Sequence, residues 1–427
     1  MEMPPRFLRT LPALFVLVTA SYSAAAQVVR PESVGLSSER LERIGELMDR
    51  HIEAGSFSGA VTLVARDGRI AHFEAHGLMD IEAEAPMRTD AIFRLASMTK
   101  PVAATAVLML VEEGRIKLTD PVAKFLPSFA DQEVAVIRNG GSGGGGFGGP
   151  PPAYDTVPAE RDVTIVDLLT HTSGVMSGRV GNSASQELSA RRNDVGVSYV
   201  DGLGEVPLDF QPGSRWSYSA VGGFDVLVRV VEVVSGQSFD EFLADRLFEP
   251  LGMQDIFYWP DEAQRERLAK TYTGGPNGLQ PRPNPDSMSS PVYFSGGGGL
   301  MSTAEAYGRF AMMLANGGEL DGVRILSPRM VALMGSAVIE EGLPGLNTGM
   351  HPSRPPGEGF GLGVSVVTDP VARRSLVSKG SFGWSGFYGT YFWVDPQENL
   401  VALLMVQTYD NDSWFEFEPT VMQAVID

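Results

Sequence analysis

Phe93-Arg94-Leu95-Ala96-Ser97-Met98-Thr99-Lys100-Pro101-Val102 places a serine three residues before a lysine, at the head of the run PVAATAVLMLV over residues 101–111. That run is apolar on all faces, so it reads as a helix buried on every side rather than an amphipathic surface helix. Gly114 supplies its stop. A helix beginning near Ser97 puts Ser97 and Lys100 at i and i+3, on one face and within reach of each other. Ser97 would also sit among the main-chain N–H groups of a helix start, which suit a developing negative charge. The plainer alternative is a capping serine followed by a lysine that reaches solvent. Lysine is scarce, however: Lys100, Lys117, Lys124, Lys270 and Lys379 are all there are, and only Lys100 has a serine three positions before it.

The surrounding chain is long and acidic. Its 427 residues are 43% hydrophobic, ample for a large core, and the formal net charge is -19. Such acidity argues against nucleic acid and anionic membranes as partners. Residues 1–26 carry Arg6 and Arg9, an apolar segment over 11–20 and Ala24-Ala25-Ala26. This is the layout of a cleavable secretory signal, cut near Ala26, and it implies an exported protein, periplasmic or secreted. No later stretch is long and apolar enough to be expected in a bilayer. Without cysteine there are no disulfides, thiol nucleophiles or thiolate metal sites.

Outward from residues 93–102, Leu41, Ile44, Leu47, Met48 and Ile52 repeat at helical spacing. Residues 60–65 and 69–74 flank Asp67-Gly68, a hairpin signal. The C-terminal part returns to strands over 361–367, 388–394 and 400–407, with a last helical segment after Trp414. The pattern implies an α+β fold in which one antiparallel sheet is built from both chain ends, about 27–96 and 300–427. A helical lobe, about 97–299, is inserted between them. Residues 139–152 (NGGSGGGGFGGPPP) form a low-complexity surface insert. It contains a formal G-x-S-x-G around Ser142, rejected as a nucleophile elbow because no strand is expected before it and no helix after it. Residues 276–290 are irregular and rich in proline.

A serine hydroxyl needs a base. The histidines are His51, His72, His76, His171 and His351, in no triad order and with no H-E-x-x-H. His171, in LLTHTSG over 168–174, reads most simply as a buried residue tying down a turn. A desolvated lysine is then the economical base. Two further segments can join it. In 210–220 (FQPGSRWSYSA), Pro212-Gly213 marks a turn and Tyr218 falls on a loop before the helical pattern of 224–234. In 379–390 (KGSFGWSGFYGT), glycines ahead of a strand allow close backbone approach to a ligand.

Together, Ser97-x-x-Lys100, Tyr218-Ser219 and Trp384-Ser385-Gly386 resemble the serine β-lactamase and penicillin-binding superfamily. More closely, they resemble the class C β-lactamase-related esterases called family VIII carboxylesterases. LLTHTSG, FEPLGM (248–253), GGGLMST (297–303) and YGTYFWVDP (388–396) add to the likeness, which spans nearly all of the chain after the leader. The resemblance implies a β-lactamase-like catalytic domain over 27–427 that needs no metal or other cofactor. Ser97 would be the acylated nucleophile, Lys100 its base and Tyr218 a proton carrier. The main-chain N–H groups of Ser97 and Phe387 would form the oxyanion hole. Trp384, Ser385, Gly386 and Ala220 would line the substrate.

Two departures separate esterase from lactamase. Trp384 stands where the lactamases have the lysine that helps to hold a substrate carboxylate, and Ala220 stands where they have an asparagine that contacts the β-lactam side chain. The expected activity is hydrolysis of short-chain acyl esters, with weak β-lactam hydrolysis as a side reaction. The alternative is a β-lactamase, or a D-amino-acid peptidase or amidase, with Arg373, Arg374 or Lys379 standing in for the lost cation. A third reading is a sensor protein that forms a lasting acyl adduct or none.

Overall fold

The computed structural model describes residues 27–138, 152–195, 198–275, 277–282, 290–339, 342–346, 356–408 and 413–427. Residues 1–26, residues 139–151 with Ser142, part of 276–290 and His351 lie outside the described residues.

The Asp67-Gly68 hairpin forms as expected. Both turn residues adopt left-handed conformations, φ 54° and 69°, the geometry that a two-residue hairpin requires. It joins β1 (Gly59–Arg66) to β2 (Arg69–Asp80), and β3 (Ala85–Pro86) follows. The C-terminal part supplies β4 (Glu358–Phe360), β5 (Ser365–Val367), β6 (Phe382–Ser385), β7 (Tyr391–Asp395) and β8 (Leu400–Val406). One eight-stranded sheet results, in the order β4-β5-β6-β7-β8-β1-β2-β3. Every neighbouring pair is antiparallel. The two chain ends meet at its centre, where Ala60 to Arg66 pair with Val406 to Leu400.

Both faces of those central strands are covered, which is why they read as near-continuous apolar runs. Alternate residues Ala60 and Val64, with Leu400, Ala402, Leu404 and Val406, pack against α1 (Ser38–Glu53) and α5 (Ser413–Met422). The intervening Val61, Leu63 and Ala65, with Val401, Leu403 and Met405, face the other way. There they meet α2 (Thr99–Glu112), α3 (Gly222–Ser235) and α4 (Ala304–Ala315) in one core. In α2 every residue from Thr99 to Leu110 is buried, as its all-round apolar pattern predicts. Each fully buried Val or Leu there contributes about 1.5 to 3 kcal/mol relative to solvent exposure.

Four expectations need correction. Ser97 is not in the α-helix: Ala96–Met98 form a 3-10 turn, and α2 starts at Thr99. Residues 361–367 are not one strand, because the chain turns between β4 and β5, with Gly363 at φ 82°. The strand expected from 388 starts at Tyr391, because the Gly389 N–H closes a turn onto the Gly386 carbonyl at 3.0 Å. The central part is also less purely helical than expected. A hairpin of Glu133–Ile137 and Tyr154–Pro158 carries the 139–152 insert, so a strand does precede Ser142, although another strand and not a helix follows it.

A buried histidine in the sheet makes stability depend on pH. His72 on β2 is 5% exposed, and its Nε2 lies 2.8 Å from Thr62 Oγ1. Burial first, and nearby His76 second, push its pKa from 6.5 down to about 4. Glu74, 3.9 Å away and half exposed, does not reverse this. The unfolded chain therefore binds a proton that the folded chain refuses, so stability is lost as pH falls from about 6.5 towards 4. The loss attributable to His72 should be about 3 kcal/mol. Denaturant titrations at pH 7.5 and 4.5 should show a smaller pH-dependent drop in His72→Gln than in the wild type; equal drops would exonerate His72.

Candidate active site

The 3-10 turn that carries Ser97 is unusual at its first residue: Ala96 has φ 44°, a left-handed value on a residue with a side chain. The turn lifts Ser97 to a half-buried position ahead of α2. Beside it, Lys100 is fully buried. Lys100 Nζ lies 3.1 Å from Ser97 Oγ, 2.6 Å from the Ala220 carbonyl and 2.7 Å from the Gly297 carbonyl. Among the described residues no carboxylate forms an ion pair with Lys100. Nζ thus donates to all three oxygens, two main-chain carbonyls and the hydroxyl of Ser97. Neither expected bland role is seen, since Lys100 does not reach solvent and the Ser97 turn has no side-chain capping bond.

Tyr218 completes the group. Its hydroxyl donates to Ser97 Oγ at 2.8 Å, and Lys100 Nζ sits 4.9 Å from its ring centroid. The loop before α3 therefore delivers two things: the phenol and the Ala220 carbonyl. Ala220 was expected to line the substrate; the structure brings its main-chain oxygen to Lys100. Gly297, absent from the expected site, is placed by the short strand Met301–Ser302, which pairs with Phe93–Arg94 just ahead of Ser97. The Leu95 N–H donates to the Leu300 carbonyl at 2.9 Å and locks the same register.

The third segment closes the site from the sheet side. Thr390 Oγ1 donates to the Leu95 carbonyl at 3.4 Å, and the Gly386 N–H donates to the Thr390 carbonyl at 2.7 Å. The Gly386-to-Gly389 turn is thereby pinned against the Ser97 turn. Phe387, with 44% of its surface exposed, lies in that turn where the second oxyanion donor was expected. Trp384 and Ser385 are half-buried at the end of β6. The Trp384 ring meets that of Tyr218 at 5.6 Å and stands edge-on to Phe360 at 5.3 Å. The wall beside the serine is thus aromatic. Of the stand-in cations, Arg373 is committed elsewhere: it is held 2.6 Å from Glu358 and 2.7 Å from Glu418. A further cation at the third segment is Arg282, whose guanidinium is 4.9 Å from the Phe387 ring.

A serine with a buried amine and a phenol on its hydroxyl is the constellation of an acyl-transfer site. The Beta-lactamase family profile matches residues 44–424. The chain belongs to that family. It is a serine hydrolase of the β-lactamase fold, and the expected resemblance is borne out. Among curated relatives, the chain is 33% identical over 395 residues to Esterase EstB of Burkholderia gladioli, covering 86% of this chain and 90% of that one. It is 35% identical over 365 residues to Protein Rv1367c of Mycobacterium tuberculosis, covering 83% and 87%. The crystal structure of a family VIII carboxylesterase superposes with a TM-score of 0.68 at 20% identity, covering 91% of this chain and 99% of that one. At that identity the likeness establishes the fold.

Gly386 gives this geometry a direct test. A Cβ at position 386 would stand 2.2 Å from both the Leu95 carbonyl and Thr390 Oγ1, far inside contact distance. Gly386→Ala should push the Phe387 turn off the Ser97 turn and lower kcat/KM for p-nitrophenyl butyrate about 10²-fold, the scale of one lost oxyanion donor. An unchanged kcat/KM, with circular dichroism matching the wild type, would show that the turn does not serve the chemistry.

Proposed function

We propose that the protein is a serine carboxylesterase that hydrolyses short-chain acyl esters. The observation that carries this reading is the Ser97, Lys100 and Tyr218 group set against an aromatic wall, with Trp384 packed on Tyr218. Lys100 takes the Ser97 hydroxyl proton as Oγ bonds to the acyl carbon. The developing oxyanion is met by the N–H groups of Ser97 and Phe387. The C–O bond to the alcohol then breaks, and the alcohol leaves with a proton from Tyr218, which regains one from Lys100. Water adds to the acyl-enzyme and gives up a proton to the same pair. Ser97 Oγ departs with a proton, releasing the carboxylic acid.

The apolar face of Trp384 supports an uncharged acyl group at this site, and the named activity of Esterase EstB agrees with that choice. A second reading rests on Arg282: a guanidinium beside Phe387 suits substrates that carry a carboxylate, as β-lactams and D-amino-acid peptides do. The leader over residues 1–26 supports action outside the cytoplasm.

Paired steady-state hydrolysis of p-nitrophenyl butyrate and a chromogenic cephalosporin decides between these readings. We expect kcat/KM to favour the ester at least about 10²-fold and both activities to fall on the order of 10⁴-fold in Ser97→Ala. A preference for the cephalosporin would establish the lactam reading. Ester turnover that survives Ser97→Ala would remove the serine mechanism.

A further inference from the structure

We infer that His171 is a positioning residue for Tyr218, a clamp that holds the main chain on both sides of the phenol. The inference rests on Tyr218 being the proton carrier. His171 is 1% exposed and follows the helix Ile165–Leu169, with φ 59°. Its main-chain carbonyl accepts the Ser217 N–H at 3.0 Å. Its ring Nδ1 accepts the Ser219 N–H at 3.2 Å. These are the two amides that flank Tyr218. One residue thus fixes the chain immediately before and immediately after the phenol, and its ring lies 4.6 Å from the Tyr218 ring. Acceptance at Nδ1 places the proton of the neutral imidazole on Nε2.

The clamp is itself anchored. The Thr172 N–H donates to the Asp167 carbonyl at 2.8 Å, and the Gly213 N–H donates to the Thr172 carbonyl at 2.8 Å, tying the 167–172 turn to the start of the tyrosine loop. Asp167 accepts from Arg161 at 2.6 and 2.8 Å and from the Thr164 N–H at 2.9 Å. On the far side, Ser219 Oγ accepts the Gly223 N–H at 2.9 Å, which fastens the loop to α3. Trp216, Phe224 and Phe360 enclose the imidazole with ring centroids 5.9, 5.4 and 5.3 Å away. In that aromatic enclosure the bond from the Ser219 N–H to Nδ1 directs the ring. Loss of the Nδ1 acceptor would leave the Ser219 N–H buried without its partner and free the Tyr218 backbone to shift. A displacement of about 1 Å at a reacting group costs up to about 10²-fold in rate.

Three substitutions separate clamp from filler. His171→Asn keeps an acceptor where Nδ1 stands and tolerates the left-handed backbone; His171→Gln moves the acceptor outward; His171→Leu removes it. The readout is the second-order rate of Ser97 labelling by a fluorophosphonate, alongside kcat and KM for p-nitrophenyl butyrate. We expect His171→Leu and His171→Gln to lower labelling and kcat about 10- to 100-fold with KM within about twofold, and His171→Asn to retain most of both. In a Tyr218→Phe background, His171→Leu should cost nothing further, because it acts through the phenol. Losses that multiply in the double variant, or His171→Asn failing like His171→Leu while folded, would overturn the clamp. If His171→Leu does not fold, the Asn and Gln pair still decides the matter. Labelling by fluorophosphonate needs no particular ester, so a wild type that is labelled but leaves butyrate untouched would sink the esterase reading and leave this test intact.

Discussion

The buried amine of Lys100 is the constraint that the rest of the site answers to. An ammonium removed from water costs several kcal/mol unless it is paired. Here it meets no carboxylate among the described residues. What it meets is two main-chain carbonyls and a serine hydroxyl, at 2.6, 2.7 and 3.1 Å. Carbonyl and hydroxyl oxygens take up the Nζ donors without adding a formal negative charge, so the cradle fixes the position of the amine without an ion pair.

Holding two carbonyls from distant segments against one side chain demands a rigid frame. Ala220 belongs to the loop before α3, and Gly297 to the segment that leads into Met301–Ser302. Both converge on α2, which is buried on all sides and has no freedom to roll. The same frame sets the third wall: β6 and β7 are inner strands of the sheet, and their connecting turn touches the Leu95 carbonyl two residues before the serine. Chain-end pairing at the middle of the sheet, β1 with β8, puts β6, which carries Trp384 and leads into the Phe387 turn, in one sheet with the N-terminal strands β1 to β3. A site drawn from residues 97 to 387 therefore behaves as one local structure.

What could be read from the sequence follows from the same physics. Side-chain chemistry leaves a residue-type signature: a lone serine-lysine spacing, a tyrosine on a loop, an Asp-Gly between alternating runs. Each of these is legible, and Ser97, Lys100 and Tyr218 do come together, although Ser97 sits on a 3-10 turn ahead of the helix and not in it. Main-chain chemistry leaves no such mark. The Gly297 carbonyl contributes as much to holding Lys100 as any side chain, yet any residue has a carbonyl, and only the fold says whose arrives. The 3-10 turn at Ala96–Met98 was missed for a related reason: its first residue takes a left-handed φ that the surrounding packing imposes against local preference. The strand expected from Tyr388 starts three residues late, at Tyr391, because the Gly389 N–H closes a turn on the Gly386 carbonyl.

The position of Trp384 bears on how specificity and chemistry are joined. Its ring rests on Tyr218 and against Phe360, and the Tyr218 ring lies against His171 in turn. The aromatic wall beside Ser97 is thus also part of the packing around the Tyr218 phenol. Replacing Trp384 by a cation would add an electrostatic anchor and at the same moment remove a wall from Tyr218. The two effects oppose each other: tighter binding of an anionic substrate, and a looser proton carrier. A change of substrate class in such a site therefore cannot be a change of one residue. It needs the aromatic enclosure of Tyr218 rebuilt with it, so substrate class and the packing of the phenol are coupled through Trp384.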